Sequence, residues 1–263
     1  MRTPAATNSD GGSLAGRVVL VAGGSGGLGW ETVSRLAGEG AVVVVGFRAN
    51  RERARRLRRE VRERWGREVL LAEGDIAEEE GRRRCLAAVE EAGAPLYGLV
   101  CFSGDPGRVK FERATQEDLL SSLRQNYVGP ILLARDAARL MRRDGVEGSI
   151  VLFSTMQAVE VFAGSVNYAA PKAALIHAAR VLASEWGGKG GLRVNVVAPG
   201  VNEAGMALKS IESGKYDPFL ERGVIPRFGK PRDVARVVRL LLEPDNYLTG
   251  QVICVDGGFT LRK

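Results

Sequence analysis

A tyrosine and a lysine four residues apart are the most reactive pair in the sequence, Tyr168 and Lys172. On a helix, residues four apart lie on the same face. A tyrosine hydroxyl ordinarily titrates at about 10, and a nearby ammonium group favours its ionised form. We therefore expect Lys172 to lower the pKa of Tyr168, which would make the hydroxyl a proton donor and acceptor near neutral pH.

A glycine-rich turn follows the first apolar run of the chain, at residues 17–22, and leads into a helix that begins near Trp30. Glycines let the backbone come close to a ligand, and the free N–H groups and dipole of a helix N-terminus attract an anion. The sequence therefore predicts a phosphate-binding turn whose members are Gly23, Ser25, Gly26, Gly27, Leu28 and Gly29.

The residues that end the second apolar run bear on the choice of a dinucleotide cofactor. An acidic residue there would bind the ribose hydroxyls of NAD and repel a 2′-phosphate. The chain has Phe47 followed by Arg48 instead, and a guanidinium group suits a phosphate. Arg48 thus favours NADP(H), although it also begins an arginine-rich segment and could be one more surface arginine.

The elements that must position these residues alternate between short apolar runs and segments with helical periodicity. Continuous apolar strands joined by helices are typical of a parallel sheet covered on both faces. We predict an α/β fold in one domain: a Rossmann fold with a doubly wound, mostly parallel, seven-stranded sheet. The predicted strands lie near 17–22, 41–47, 68–73, 97–102, 149–154, 192–197 and 251–255.

The domain should cover residues 14–263, preceded by a flexible tail at 1–13. The segment 203–230 interrupts the alternation with several glycines and prolines, so we expect a mobile lid over the substrate. Residues 1–13 lack the apolar stretch of a secretory signal, and no apolar run approaches the roughly 20 residues of a membrane span. These features predict a cytoplasmic protein without membrane partners.

Composition and charge exclude several classes of protein. The 263 residues are 45% hydrophobic and 26% charged, as in an ordinary globular chain. Three cysteines without a CxxC pair, together with one histidine, argue against a metal site or a disulfide framework. The net charge of +7 is concentrated between residues 48 and 67. Because aromatic residues do not interleave with these arginines, we interpret them as a solvated helix face rather than a nucleic-acid surface.

The order of the motifs resembles that of the short-chain dehydrogenase/reductase family from about residue 14 to residue 260. The turn resembles the family's TGxxxGxG, with Ala22 in place of the threonine, and Tyr168 and Lys172 match YxxxK. Further matches in the family's order are Asp75, Asn126, Asn195, Pro199, Gly200 and Asp256 to Gly258.

The resemblance implies a role for each matched position. Tyr168 would donate a proton to a carbonyl oxygen while hydride reaches the carbon, and Lys172 would also hold the nicotinamide ribose. Thr155, 13 residues before the tyrosine, aligns with the catalytic serine, and Ser154 aligns with the non-catalytic residue before it. Asp75 would contact the adenine. The implied catalytic group is Asn126, Thr155, Tyr168 and Lys172, and the other implied cofactor contacts are Ser103, Gly104, Pro199, Gly200 and Val201.

The implied activity is NADP(H)-dependent reduction of a carbonyl on a small molecule, or the reverse oxidation of an alcohol, with the 3-oxoacyl reductases as the nearest type. An enoyl reductase of this fold would usually have six residues between the tyrosine and the lysine, rather than the three present here. The resemblance also implies a homo-oligomer, a tetramer or else a dimer, that buries the helices within 115–143 and 165–187 and the C-terminal strand.

Three positions depart from the family's pattern. Cys101 to Gly104 replace NNAG, Ala204 replaces a threonine that commonly binds the nicotinamide, and Pro171 lies between the tyrosine and the lysine. A proline inside a helix removes a hydrogen bond, so the turn that carries Tyr168 could be distorted. A non-catalytic nucleotide sensor or scaffold of the same fold is the alternative that these departures leave open.

Overall fold

The computed structural model describes residues 12–189 and 191–262. In these residues seven strands form one parallel sheet in the order β3-β2-β1-β4-β5-β6-β7, with helices on both faces. The predicted fold class is confirmed, and each strand lies within two residues of its predicted bounds. The strands are β1 Val18–Ala22, β2 Val42–Phe47, β3 Val69–Glu73, β4 Leu96–Cys101, β5 Ser149–Phe153, β6 Arg193–Pro199 and β7 Val252–Val255.

The strand order places a crevice at one edge of the sheet. β1 pairs with β2 on one side and with β4 on the other, so the chain winds outward in both directions from this point. In an open parallel sheet the carboxyl ends of the strands border the ligand crevice at such a switch point. The glycine-rich turn after β1 and the segment after β4 are therefore neighbours.

The strands are buried on both faces, which explains why they appear as unbroken apolar runs in the sequence. On one face Leu20 and Leu99 belong to a core that includes Leu133 and Leu175 from the covering helices. On the other face Val19 packs in a second core with residues of three further helices, which include Leu36, Leu57 and Val238. Branched side chains fit such a pleated, buried surface.

The helices follow the strands in the predicted alternation. They are α1 Gly27–Gly38, α2 Arg51–Trp65, α3 Glu79–Glu90, α4 Gln116–Leu123, α5 Gly129–Arg143, α6 Met156–Val159, α7 Val166–Trp186, α8 Leu208–Glu212, α9 Asp217–Glu221, α10 Pro231–Leu241 and α11 Phe259–Arg262. A π-helical stretch, Arg124–Val128, joins α4 to α5 and contains Asn126. None of the described helices is long and apolar enough to cross a membrane.

Pro171 lies inside α7 without ending it, since the helix continues to Trp186. The predicted lid, 203–230, contains the short helices α8 and α9, and its two ends are joined by backbone hydrogen bonds. Glu203 N–H donates to the Gly229 carbonyl and Gly229 N–H donates to the Val201 carbonyl, both at 2.8 Å. The two ends of the lid segment are therefore held together, and the residues between them project from this pairing.

The packed part of the chain begins earlier than predicted. Ser13 was assigned to the flexible tail, but its hydroxyl donates to Glu243 at 2.9 Å and accepts from Arg239 at 2.8 Å. Leu14 is fully buried beside these contacts. The rest of the predicted tail, residues 1–11, lies outside the described residues.

Candidate functional site

The glycine-rich turn leaves the N-terminus of α1 open toward the crevice. Among the described residues, no side chain caps this end of the helix, where Gly26 is the N-cap. Gly23 adopts a φ of +77°, which favours glycine, and a Cβ at Gly29 would lie 2.5 Å from the Gly23 carbonyl oxygen. The turn therefore needs its glycines for shape, and it leaves backbone N–H groups free for an anion.

Two neighbouring segments border this turn. A Cβ at Gly23 would lie 3.1 Å from the backbone nitrogen of Ser103, which follows β4. A Cβ at Gly27 would lie 2.6 Å from the backbone nitrogen of Gly205, at the beginning of the lid. The backbone of the predicted lid thus lies directly against the predicted phosphate-binding turn.

The ends of β2 and β3 bring two predicted cofactor residues together. Arg48 Nη1 lies 3.8 Å from Asp75 Oδ2, and the arginine side chain is more than half exposed. The Asp75 carboxylate also accepts from Ala77 N–H at 3.0 Å and from Gln125 Nε2 at 3.1 Å. Asp75 is thereby fixed in place, whereas Arg48 is free to turn toward a ligand.

The side chains of Tyr168 and Thr155 lie close together, and the interaction with Thr155 lowers the pKa of the tyrosine. Thr155 lies just after β5, and its oxygen also accepts from the N–H of Gln157 at 3.3 Å. Ser154 is turned away, because its hydroxyl donates to the backbone carbonyl of Lys172 at 3.0 Å. Successive residues of an extended chain face opposite sides, which accounts for this division between the two hydroxyls.

Lys172 is almost completely buried beneath the crevice. Its Nζ donates to the backbone carbonyl of Phe153 at 2.8 Å. Burial lowers the pKa of Lys172 to about 8, and the charge interaction with Cys101 acts in the opposite direction. A Cβ at Gly104 would lie 3.0 Å from Nζ, so the chain after β4 packs directly on the ammonium group.

The predicted lowering of the Tyr168 pKa by Lys172 is wrong for this structure. Burial raises the pKa of Tyr168 to about 12, the hydrogen bond from Thr155 lowers it, and the charge of Asp105 raises it further. The ammonium group of Lys172 is bound to the Phe153 carbonyl. Desolvation of the phenolate therefore outweighs any attraction to the lysine.

The side chain of Asn126 binds the chain segment that follows β4. Its Oδ1 accepts from Asp105 N–H at 3.0 Å, and its Nδ2 donates to the Asp105 carbonyl at 2.9 Å and to Ser122 Oγ at 3.1 Å. The residue is fully buried. Asn126 thus contacts the site through the backbone that it holds, although the resemblance implied a place in the catalytic group itself.

Pro199, Gly200 and Val201 form the opposite wall at the end of β6. Gly200 N–H donates to the Val255 carbonyl at 3.0 Å, and a Cβ at Gly200 would lie 2.7 Å from the Cα of Asp256. Val201 is buried against the lid. The predicted site residues that follow β1 to β6 therefore lie at one end of the sheet, whereas the matched Asn195 lies inside β6 and its side chain bonds the Leu248 carbonyl and the Gln251 N–H.

Sequence reasoning missed three polar residues of this region. Asp105 follows Gly104 and carries a charge near Tyr168, Gln125 supports Asp75, and Ser122 supports Asn126. Ser122 precedes Asn126 by four residues, a helical spacing that could have suggested the contact. Asp105 and Gln125 act on Tyr168 and Asp75, which lie far from them in the sequence.

Comparison with known proteins gives matches along nearly the whole chain. Residues 22–260 match a family described as enoyl-(acyl carrier protein) reductase. Glucose 1-dehydrogenase of Gluconobacter oxydans is 32% identical over 250 residues, which cover 94% of this chain and 93% of that protein. The 3-oxoacyl-(acyl-carrier-protein) reductase MabA of Mycobacterium tuberculosis is 30% identical over 243 residues, 92% of each chain.

Solved structures agree in fold. A short-chain type dehydrogenase/reductase from Mycobacterium ulcerans superimposes with a TM-score of 0.88 at 28% identity, covering 95% of this chain and 92% of that one. A variant of actinorhodin polyketide ketoreductase, whose structure is with NADPH, has a TM-score of 0.85 at 27% identity and covers 94% and 98% of the two chains.

The burial of Lys172 predicts a pH dependence of stability. Its pKa of about 8 in the folded protein lies below the ordinary 10.5, so between these values the unfolded chain binds more protons and the free energy of unfolding rises with pH. Lys172→Met should remove this rise, on the order of 1 to 3 kcal/mol between about pH 7.5 and about pH 10. Denaturant unfolding at the two pH values measures it. The exposed Lys189→Met should keep the wild-type rise, and an equal rise in Lys172→Met would contradict the prediction.

Proposed function

The chain belongs to the short-chain dehydrogenase/reductase family of oxidoreductases, and we propose that it is an NADPH-dependent enzyme that reduces a carbonyl to an alcohol or catalyses the reverse oxidation. The observation that carries the proposal is the proximity of the Tyr168 and Thr155 side chains, whose interaction lowers the pKa of the tyrosine. This pair lies in the same crevice as an open glycine-rich helix N-terminus. The cytoplasmic location stays a prediction from the sequence.

The crevice fits a phosphorylated dinucleotide. The uncapped N-terminus of α1 offers N–H groups for a pyrophosphate. At the ends of β2 and β3, Arg48 would bind the 2′-phosphate and Asp75 the adenine. When bound, NADPH would supply the hydride for the reduction. A related ketoreductase structure with NADPH supports this choice of cofactor.

Side chains of the protein would donate the proton that the reduction of a carbonyl requires. Since burial raises the pKa of Tyr168 to about 12, its Oη carries a proton at neutral pH and can donate it to the oxygen of a bound carbonyl. When a carbonyl is bound, Thr155 would turn its one hydroxyl proton from Tyr168 to that oxygen and donate a second hydrogen bond, as in an oxyanion hole. Lys172 supports the site from below, and Asn126 holds the backbone wall formed by Gly104 and Asp105.

Reduction of C=O is favoured over reduction of C=C. The matched family carries the description of an enoyl reductase, but three residues separate Tyr168 from Lys172, as in the carbonyl-reducing type that the sequence resembles. Relatives named glucose 1-dehydrogenase and 3-oxoacyl reductase support carbonyl and alcohol chemistry. NADPH oxidation in the presence of acyl thioesters, quinones, steroids and sugars tests the proposal. Cofactor binding without turnover of any carbonyl would favour a sensor instead.

The cofactor preference depends on Arg48. Arg48→Ala should weaken NADPH binding by about 1.5 to 3 kcal/mol, because a charge-assisted phosphate contact is lost, and leave NADH binding nearly unchanged. Calorimetric titration with each cofactor measures both affinities. Arg58→Ala, at an exposed position of α2, is the matched control and should bind both cofactors as the wild type does. Equal affinity of the wild type for NADPH and NADH would refute the assignment.

The roles of the hydroxyl groups can be separated by substitution. Tyr168→Phe should retain NADPH binding and lose about 10² to 10⁴ in kcat, because the proton donor is gone. Thr155→Val should lose about 10² to 10³ in kcat, whereas Thr155→Ser should stay active. Steady-state kinetics with a substrate found by the screen gives these values.

Ser154→Ala is the control for the threonine, since the Ser154 hydroxyl is bound to the Lys172 carbonyl. It should change kcat little. A larger loss in Ser154→Ala than in Thr155→Val would move the hydroxyl role to Ser154. Turnover by Tyr168→Phe at the wild-type rate would reject the tyrosine as the acid.

We also propose a homotetramer. Large apolar side chains are exposed on α4, α7 and the C-terminal segment, among them Leu119, Val181 and Leu261. Leu119 and Val181 lie on helices that the family resemblance places between subunits, and their exposure supports association through them. Light scattering at micromolar concentration should give a tetramer, and Val181→Glu should dissociate it because a buried charge lacks a partner. A monomeric wild type would contradict the proposal, and a dimer would limit it to one interface.

A further inference from the structure

We propose that Ser122 is a positioning residue for the active site. It donates a hydrogen bond to a backbone carbonyl that Pro171 leaves without its helical donor. The proposal rests on the proposed function for its kinetic consequences. Its structural part stands on hydrogen bonds between α4, α7 and the π-helical stretch.

Pro171 leaves one backbone carbonyl of α7 without its usual hydrogen-bond donor. In an α-helix the carbonyl of residue 167 accepts from the N–H of residue 171. Proline has no N–H, and its ring crowds that same carbonyl, which here belongs to Asn167. Asn167 and Pro171 are both buried. A carbonyl in such a place costs free energy unless another donor reaches it.

Ser122 supplies a donor from another helix. Its hydroxyl donates to the Asn167 carbonyl across the packing of α4 against α7. The serine is buried. Asn167 is also the residue that immediately precedes Tyr168, so this bond fixes the first turn of the helix that carries the tyrosine.

The Ser122 hydroxyl oxygen also accepts a hydrogen bond, and its donor is the side chain of Asn126. Asn126 Nδ2 donates to Ser122 Oγ at 3.1 Å and to the Asp105 carbonyl at 2.9 Å. Asn126 Oδ1 accepts a hydrogen bond from the Asp105 N–H. The preceding residue, Gly104, packs closely on both side chains, because a Cβ there would lie 2.7 Å from Asn126 Oδ1 and 3.0 Å from Lys172 Nζ. One hydroxyl therefore joins the tyrosine's helix to the backbone that packs on the lysine.

A rescue experiment tests this arrangement. Ser122→Ala leaves the Asn167 carbonyl without this donor, so kcat should fall about ten- to hundredfold through misplacement of the site. The folding equilibrium constant should fall about tenfold or more. In Ser122→Ala/Pro171→Ala the new N–H of residue 171 can take the carbonyl. The bond to the Asn167 carbonyl is thereby restored, but the acceptor for Asn126 Nδ2 is not, so both losses should be recovered in part, while Pro171→Ala alone should resemble the wild type.

Ser121→Ala, an exposed neighbour in α4, is the matched control and should change neither quantity. The dissociation constant for NADPH should stay within about twofold in Ser122→Ala, because no hydrogen bond of the glycine-rich turn is lost. Equal defects in Ser122→Ala and in the double variant would overturn the proposal, as would a stability loss without any effect on kcat.

A readout without turnover separates this proposal from the proposed function. If no carbonyl is reduced by the wild type, the proposed function fails, but the Lys172 contribution to the pH dependence of unfolding remains measurable. It should shrink in Ser122→Ala, because the Gly104 backbone no longer packs as closely on the ammonium group, and return in part in the double variant, where Asn126 Nδ2 still lacks its Ser122 acceptor. Among the described residues, Cys101 interacts with the charge of Lys172, Tyr168 lies one helical turn before it, and Asp105 follows the Gly104 that packs on Nζ. These groups are the same in all variants. An unchanged contribution in Ser122→Ala would overturn the positioning role.

Discussion

The buried ammonium group of Lys172 is the constraint around which the site is arranged. A charge without water needs an acceptor, and the Phe153 carbonyl at the end of β5 provides it. The backbone of Lys172 is tied to the same place, because its own carbonyl accepts from Ser154. Gly104 has to be small where it packs against Nζ. Strand β5, helix α7 and the segment after β4 thus meet at one side chain.

The two ends of the crevice differ in their electrostatics. At the end of β2 and β3, Arg48 and Asp75 are charged and partly open to water, so their interaction is weak and a ligand phosphate can compete for the guanidinium group. At the other end burial raises the pKa of Tyr168 and lowers that of Lys172, which favours the neutral form of each group. Under the proposed function, the buried end with Tyr168 and Lys172 would serve proton transfer to a carbonyl oxygen, and the exposed end with Arg48 and Asp75 would recognise a phosphate.

The sequence was informative wherever the cause of a feature is local. The strands were predicted because buried parallel strands are continuous apolar runs, and the different directions of Ser154 and Thr155 follow from the alternation of an extended chain. The pKa of Tyr168 was predicted in the wrong direction because the spacing to Lys172 contains no information about burial. The contact of Ser122 with Asn167 joins two helices 45 residues apart, so local periodicity could not predict it.

Two of the three departures from the family's pattern are accompanied by contacts within this chain. Phe102 takes the place of an amide in the segment after β4, and its ring lies 4.0 Å from that of Phe153, whose carbonyl binds Lys172. Pro171 removes a backbone donor, and Ser122 replaces it. A buried carbonyl without a donor costs free energy in any folded protein, so the Ser122 bond stabilises the fold as well as the turn that carries Tyr168. The two departures therefore leave the contacts among Phe153, Ser154 and Lys172 in place, and these contacts hold strand β5 and helix α7 together at the centre of the site.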